Sequence, residues 1–259
     1  MADIEVLTNS NFETLIYYKE DGIAWVTLNR PQVLNVYNIK MRDELWQILG
    51  AIKDDEEVKA VIFHGAGDRA FCAGADLTEF LTAPPPVLAR KARWDRDVWG
   101  LFLSVSQPLI AALHGYVLGS GLEIALCCDI RIVSEDAQFG LPETGLGIIP
   151  AAGGTQTLPR TIGRTKTLEM LFNGTRLNSR DAYNLKLVSQ IVNRQQLLPT
   201  AKMIANKIAR CNSSVLKLAK QAVVRGLDLS LDEGLEMETN LASLVLSNIM
   251  YSNEMGGEI

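Results

Sequence analysis

The chain has few of the residues that build metal centres and redox sites. Among its 259 residues there are only two histidines, His64 and His114, which lie far apart and lack the spacing of metal ligands. Its four cysteines form no Cys-x-x-Cys pair, and each lies in an apolar or helical context, as expected of reduced thiols in the cytosol. The sequence therefore predicts free thiols and no metal site.

Positive charge and long apolar runs are also scarce. The chain has 25 basic and 30 acidic residues and an isoelectric point near 5.2, so the basic surface typical of nucleic-acid binding is missing. No apolar run reaches membrane-spanning length, and the polar, acidic residues 1–5 do not resemble a targeting peptide. We therefore expect a cytoplasmic protein that binds neither nucleic acid nor membranes. The apolar share of 47% is ample for a packed core.

Strand and helix patterns alternate along the first part of the chain and then give way to helices. Strands over 13–19 and 22–29 flank Asp21-Gly22, a strong hairpin signal. Further strands are predicted over 59–64, 129–134 and 137–140, and helices over 38–52, 87–105, 165–173, 179–185, 195–210, 213–225 and 230–248, with Thr155, Ser179 and Asp232 as N-terminal signals. The pattern predicts an α/β core over 1–195 and a helical region over 196–259.

A glycine-rich turn over 115–123 is the stretch around which the chain is organised. It follows the apolar run 108–113 and opens a helix with Glu123 in its first turn. A helix start offers unpaired N–H groups and the positive end of the helix dipole, which together stabilise developing negative charge. A second carboxylate, Glu143, stands between a proline and another glycine turn. These features predict an acid/base pair beside an anion-stabilising turn.

Three other functional motifs can be excluded for this turn, and one structural interpretation of the glutamates remains open. The turn lacks the third glycine of a dinucleotide fingerprint, because that position holds Ile124. Ser120 is not flanked as a nucleophile elbow requires, and no Gly-Lys-Ser/Thr motif occurs. Glu123 as a helix cap and Glu143 as a loop carboxylate remains an alternative, although both lie among apolar neighbours where an unpaired charge is costly. The residues alone leave this alternative and the acid/base pair open.

Several longer segments resemble the crotonase (enoyl-CoA hydratase/isomerase) superfamily. The similarity covers most of the chain, in the order expected of the family. It is carried by Asn29-Arg-Pro31, Asn35, Phe71-Cys-Ala-Gly-Ala-Asp76, the run Pro108 to Glu123, Ala137-Gln-Phe-Gly-Leu-Pro-Glu143 and the run Leu146 to Gln156. The resemblance implies a ββα spiral core with a helical C-terminal region that forms trimers, commonly paired into hexamers.

The resemblance also implies a substrate and a set of site residues. Acyl-CoA thioesters would bind with coenzyme A as part of the substrate and with no separate cofactor. The thioester oxygen would lie in an oxyanion hole formed by the backbone N–H groups of Ala75 and Ser120. Ser120 departs from the usual glycine but keeps the N–H group. Coenzyme A and the substrate are expected to contact Gln32, Val33, Ala73, Gly74, Asp76, Leu77 and Gly119.

Glutamates at both matched positions are typical of hydratases within the superfamily. We therefore expect a hydro-lyase in which Glu123 activates water and Glu143 protonates the α carbon. An isomerase, which needs only one of the two glutamates, is the alternative. A non-catalytic or RNA-binding relative is a third interpretation, which the acidic composition disfavours.

The acyl pocket is expected to be bounded by aromatic and apolar side chains, namely Trp94, Trp99, Phe102 and Leu118. Bulky rings suit a short or cyclic unsaturated acyl group, as in the degradation of fatty, aromatic or alicyclic acids. Many relatives continue past residue 259 into a helix that supplies coenzyme A ligands, so no C-terminal ligand is assigned here.

Overall fold

The computed structural model describes residues 12–80 and 96–255, and for Phe80 and residues 248–255 it describes the backbone alone. The strands are β1 (Leu15–Glu20), β2 (Ile23–Leu28), β3 (Ala60–Gly65), β4 (Ala70–Cys72), β5 (Leu109–Leu113), β6 (Tyr116–Leu118), β7 (Ile130–Ser134), β8 (Gln138–Gly140), β9 (Leu177–Asn178) and β10 (Gln190–Val192). The helices are α1 (Ile39–Asp54), α2 (Leu77–Phe80), α3 (Val98–Ser104), α4 (Ser120–Cys127), α5 (Gly154–Ile162), α6 (Arg164–Asn173), α7 (Ser179–Asn184), α8 (Leu197–Ala209), α9 (Ser213–Gly226) and α10 (Leu231–Met255).

Two sheets form the core. The larger has the order β1-β2-β3-β5-β7-β10 and the smaller has the order β4-β6-β8-β9. The chain passes from the larger sheet to the smaller one three times, from β3 to β4, from β5 to β6 and from β7 to β8. The first two of these passages each lead into a helix, α2 and α4. This repeated arrangement confirms the predicted α/β spiral core.

The larger sheet is parallel except for its first pair. β1 and β2 form the predicted hairpin, in which Asp21 and Gly22 both have positive φ (52° and 75°), as a tight two-residue turn requires. The pairs β2–β3, β3–β5, β5–β7 and β7–β10 are parallel. β2 and most of β3 are buried, as expected of strands in a parallel sheet that is covered on both faces.

Apolar side chains cover both faces of the larger sheet. One face packs in a cluster with α1, α3 and α4. The other packs against α8 through Leu197, Ala201 and Ala205. The predicted boundary at residue 195 thus falls at the start of a helix that packs on the sheet. By contrast, α9 buries none of its residues.

Three helix starts differ from the predicted ones. The α5 helix follows Gly153 and has no side-chain cap, so Thr155 lies inside the helix. Asn178, rather than Ser179, caps α7 by accepting a hydrogen bond from the Asp181 N–H group (2.9 Å). Before α10, the backbone N–H and hydroxyl of Ser230 donate to the Glu233 carboxylate (3.0 and 2.7 Å), which leaves Asp232 inside the first turn. Neighbouring polar residues compete for the cap, and backbone geometry decides between them.

One further start, that of α3, differs as well. The helix predicted over 87–105 is observed from Val98, with the Asp97 carboxylate as its cap, and residues 81–95 lie outside the described part of the chain.

A buried carboxylate connects α1 to the segment before β1. Glu44, only 2% exposed, accepts hydrogen bonds from the N–H groups of Glu13 (2.8 Å) and Thr14 (2.9 Å) and from the Thr14 hydroxyl. Glu44→Ala is expected to lower the free energy of unfolding by about 2–4 kcal/mol, because it leaves these donors without their acceptor. Urea denaturation measures this loss. The exposed Glu56→Ala control should change stability by less than about 0.5 kcal/mol, and an equally small effect for Glu44→Ala would contradict the prediction.

Candidate active site

A cavity of about 1080 Å³ lies where the loops after β4 and β6 meet the segment that follows β8. Both predicted glutamates and both predicted oxyanion donors belong to its wall. Its lining includes Tyr37, Arg42, Ala73, Gly74, Ala75, Asp76, Leu77, Arg96, Trp99, Gly119, Ser120, Glu123, Glu143, Ile148, Ile149 and Ala152. Side chains and backbone segments widely separated in the sequence thus share one space.

Two glycines bring the predicted oxyanion donors together. Gly74 has φ +111° and Gly119 has φ +49°, conformations that side chains other than hydrogen rarely allow. A Cβ atom on Gly119 would lie 3.3 Å from the Cα of Gly74, so the two loops are in contact. The residues that follow are Ala75 and Ser120. Both residues line the cavity, and within the described residues neither N–H group donates to a backbone carbonyl in a turn or loop.

Backbone N–H groups hold the carboxylate of Glu123 in place through one of its oxygens. It lies in the first turn of α4 and is 2% exposed. Its Oε1 accepts hydrogen bonds from the N–H groups of Ala152 (2.9 Å) and Gly154 (2.8 Å) at the start of α5. Two backbone donors and a helix N-terminus stabilise the ionised carboxylate. Glu123 is therefore arranged to act as a base.

Glu143 lies in a different environment. It is the first residue of a short 3-10 helix. Its Oε1 lies close to the loop after β6, since a Cβ atom on Gly119 would be only 2.8 Å from it. Its Oε2 is buried and has no hydrogen-bond partner among the described residues. Burial, with a smaller contribution from the charge of Glu123, raises the pKa of Glu143 to about 7. A carboxyl group that keeps its proton near neutral pH can act as an acid.

Asp76 lines the cavity, but its carboxylate is already engaged. It accepts hydrogen bonds from the Thr78 hydroxyl (2.6 Å) and from Arg30 Nη1 (2.9 Å), and these contacts lower its pKa. Arg30 also donates to the carbonyl of Val36 (2.8 Å). This network holds the loop after β4 against the segment before α1, so the carboxylate of Asp76 has a structural role.

Several predicted contact residues lie elsewhere. Gln32 and Val33 are exposed on the 3-10 helix Pro31–Val33 and are not part of the cavity wall. Phe102 faces the core, where its ring packs on Phe63 with a centroid distance of 5.2 Å. Leu118 is buried and its side chain lies next to Gly140.

Phe102 and Leu118 thus do not belong to the wall of this cavity, in contrast to the expectation from the sequence. Their apolar side chains pack α3 and β6 in the protein core. The periodicity of a helix or strand identifies buried positions, but it does not show whether a buried side chain contacts the core or a ligand. Trp99 does line the cavity. Trp94 lies outside the described residues.

Sequence reasoning missed one aromatic residue of the cavity wall, Tyr37. Tyr37 lines the cavity, and its ring packs against Trp99 with a centroid distance of 5.6 Å. Its backbone pairs with the loop after β4, where the Tyr37 N–H donates to the Gly74 carbonyl (2.8 Å). The apolar residues Ile148 and Ile149 lie in the same wall. The only sequence signal for Tyr37 is its position directly after Asn35 and Val36, in the early segment that resembles the family.

The two histidines, distant in the sequence, meet at a second cavity of about 970 Å³ on the α8 side of the larger sheet. Burial lowers the pKa of His64, and it lowers the pKa of His114 to about 3, so both are neutral at pH 7. His64 Nε2 lies 2.8 Å from the Thr27 hydroxyl. Neither predicted glutamate lines this second cavity.

Comparison with known proteins agrees with this geometry. The profile of the enoyl-CoA hydratase/isomerase family matches residues 18–252. The chain belongs to this family. It is 40% identical over 225 residues to the short-chain-enoyl-CoA hydratase of Clostridium acetobutylicum, covering 87% of this chain and 86% of the relative. It is 35% identical to the crotonyl-CoA hydratase of Syntrophomonas wolfei over 90% of each chain.

The fold comparison gives the same result. The crystal structure of an enoyl-CoA hydratase from Bacillus anthracis superimposes with a TM-score of 0.85 at 37% identity, covering 91% of this chain and 92% of that chain. The predicted crotonase-like fold and the predicted family are both confirmed. In the described residues, no helix is long and apolar enough to cross a membrane.

Proposed function

We propose that this family member is an enoyl-CoA hydratase, a hydro-lyase that adds water reversibly across the α,β double bond of an acyl-CoA thioester. One observation carries the proposal. Glu123 and Glu143 line one cavity in different environments, one accepting hydrogen bonds from two backbone N–H groups and the other with a raised pKa, and Ala75 and Ser120 line the same cavity. Coenzyme A enters only as part of the substrate.

The reaction uses each group once. The thioester oxygen accepts hydrogen bonds from the N–H groups of Ala75 and Ser120, which stabilise the negative charge that develops there as water adds to the β carbon. Glu123 takes the proton that the attacking water loses. Glu143 delivers a proton to the α carbon, and the enolate collapses to the 3-hydroxyacyl thioester. After the reaction, Glu123 carries a proton from water and Glu143 has lost its proton to the α carbon. The pair still carries one proton in total, so no net proton is consumed.

The pair sets a clear pH dependence. The reacting enzyme carries one proton on the two glutamates, and Glu143, with a pKa of about 7, loses it as the pH rises. We therefore expect kcat/KM for hydration to fall about tenfold per pH unit above that value. The kcat/KM for dehydration must fall in the same way, because the ratio of the two kcat/KM values is the overall equilibrium constant, which does not depend on pH. Rate profiles in both directions test this, and a flat profile through neutral pH would contradict it.

The isomerase alternative requires only one glutamate as a proton shuttle. It leaves unexplained why a second carboxylate is held in the same cavity by two backbone N–H groups. A non-catalytic, nucleic-acid-binding relative requires a basic surface, and the composition is acidic. The hydratase is thus the function that accounts for both side chains.

The decisive experiment mixes the purified protein with crotonyl-CoA and with a cyclic enoyl-CoA. The absorbance of the conjugated thioester is followed, and the product is identified by mass. A gain of one water molecule supports the hydratase, and the relative rates measure the fit of the short and cyclic acyl groups. Conversion of a β,γ-unsaturated thioester without any gain of water would establish the isomerase instead.

We also propose that the C-terminal helices associate into a trimer or hexamer. Apolar side chains on α9 and α10 and between them are exposed in the single chain, among them Val223 (66%), Leu227 (81%) and Leu231 (77%). Exposed apolar surface of this kind is typical of subunit interfaces. Light scattering on a sizing column gives the oligomeric state. A cytoplasmic location stays a prediction.

A further inference from the structure

Two arginines face the cavity that holds the glutamates. Arg42, in the first turn of α1, and Arg96, just before α3, both line it. Asp43 joins them without lining the cavity itself. Its Oδ1 lies 2.8 Å from Arg42 Nη2, and its Oδ2 lies 2.6 Å from Arg96 Nη1. The two arginines thus belong to the cavity wall, and the carboxylate that they share does not.

The charges in this cluster do not balance. One carboxylate serves two guanidinium groups, and among the described residues neither arginine forms another ion pair. A guanidinium group has five N–H donors; Arg42 gives those of Nε and Nη2 to Asp43, and Arg96 gives that of Nη1. The cluster of Arg42, Arg96 and Asp43 therefore carries one net positive charge, and several of its guanidinium N–H donors have no acceptor among the described residues.

The position of the cluster relates it to the acyl group. Tyr37 lines the same cavity as the two arginines and the two glutamates. Its ring packs on Trp99. The two arginines lie on the segments that carry this aromatic pair, since Arg42 follows Tyr37 by five residues and Arg96 precedes Trp99 by three. A long acyl chain whose thioester lies at Ala75 and Ser120 would extend along this wall of the cavity.

We propose that Arg42 and Arg96 form a subsite for a carboxylate at the far end of the acyl group, so that the preferred substrates are the enoyl-CoA thioesters of dicarboxylic acids. The inference rests on the proposed hydratase activity and names the substrate class of that same site. Arginine suits this role because its planar, always charged group binds carboxylates in a bidentate manner. A carboxylate there also restores the charge balance of the cluster.

The test compares a series of 2-enedioyl-CoA thioesters of increasing length. Each is paired with the 2-enoyl-CoA in which a methyl group replaces the distal carboxylate. At the best length we expect kcat/KM to favour the dicarboxylic member by about ten- to a hundredfold, mainly through KM, since charge-assisted hydrogen bonds to a partly desolvated carboxylate are strong. The preference is expected to weaken as salt is added.

Three variants and one control separate this role from a purely structural one. Arg42→Met and Arg96→Met should each reduce the dicarboxylic preference about tenfold, whereas the exposed Arg180→Met control should leave it unchanged. Asp43→Asn should increase the preference, because it frees both guanidinium groups. A structural ion-pair network predicts the opposite, namely that Asp43→Asn and both arginine variants lower turnover of the two substrates of a pair equally.

The outcomes are distinct. Hydration of methyl-ended thioesters with no dicarboxylic preference at any length would overturn the subsite and leave the hydratase in place. If no conjugated thioester in the series gains water, the proposed function fails and the subsite fails with it. A preference that disappears in Arg96→Met and rises in Asp43→Asn would establish the subsite even if Arg42→Met does not fold.

Discussion

Glu123→Gln and Glu143→Gln are each expected to lower kcat for hydration by about 10²–10⁴-fold, because each removes one of the two proton transfers. In Glu123→Gln, the amide side chain would keep an oxygen for the Ala152 and Gly154 N–H groups, so the geometry of the cavity wall is preserved. The amide nitrogen that replaces the second carboxylate oxygen cannot take the proton of water. Steady-state kinetics with crotonyl-CoA measures both losses.

Two further proteins complete this experiment. The exposed Glu135→Gln control should keep full activity and the same melting temperature. The double variant should lose little more than the worse single variant, since the glutamates act in one step and their effects are not additive. A Glu143→Gln enzyme that hydrates at the wild-type rate would remove Glu143 from the mechanism and leave Glu123 as the only acid/base residue.

Ser120→Pro is expected to lower kcat by about 10²–10³-fold. Ser120 is the first residue of α4, after Gly119 as N-cap. Proline is favoured at this position, because the N–H group of a first helical residue has no partner within the helix. The substitution therefore deletes the oxyanion donor, worth roughly 3–4 kcal/mol, while it preserves the helix. Its ring also occupies the space in which the thioester oxygen would lie.

Control variants at the same position separate the N–H group from the side chain. Ser120→Ala and Ser120→Gly keep the donor, so both should retain most of the activity. Circular dichroism and thermal melting show whether Ser120→Pro has kept the fold. A folded Ser120→Pro enzyme with normal kcat would mean that this N–H group does not hold the thioester oxygen.

Features of the fold that depend on nearby residues were predicted well from the sequence. The β1–β2 hairpin, the buried strand β3 and the helix that opens after Gly119 all follow from turn chemistry and apolar periodicity over a few residues. The helix caps were less predictable. Asn178 and Ser230 each compete with a polar neighbour, and the energy difference between alternative caps is small.

The walls of the acyl pocket were the least predictable part of the site. Phe102 and Trp99 lie on the same short helix and are both aromatic, yet Phe102 packs on Phe63 in the core while Trp99 lines the cavity. Tyr37, on a different segment, completes the wall. Helical periodicity identifies a buried face but not the element that covers it.

The sequence by itself determined the local parts of the site. A turn that needs positive φ at Gly119, a helix that starts at Ser120 and a carboxylate in its first turn are properties of a few consecutive residues. The tertiary structure alone decided the rest. It placed Glu143 against Gly119, raised the pKa of that glutamate by burial, and brought Arg42 and Arg96 to the same cavity. Proximity and desolvation arise from the packing of distant segments, which local propensity does not encode.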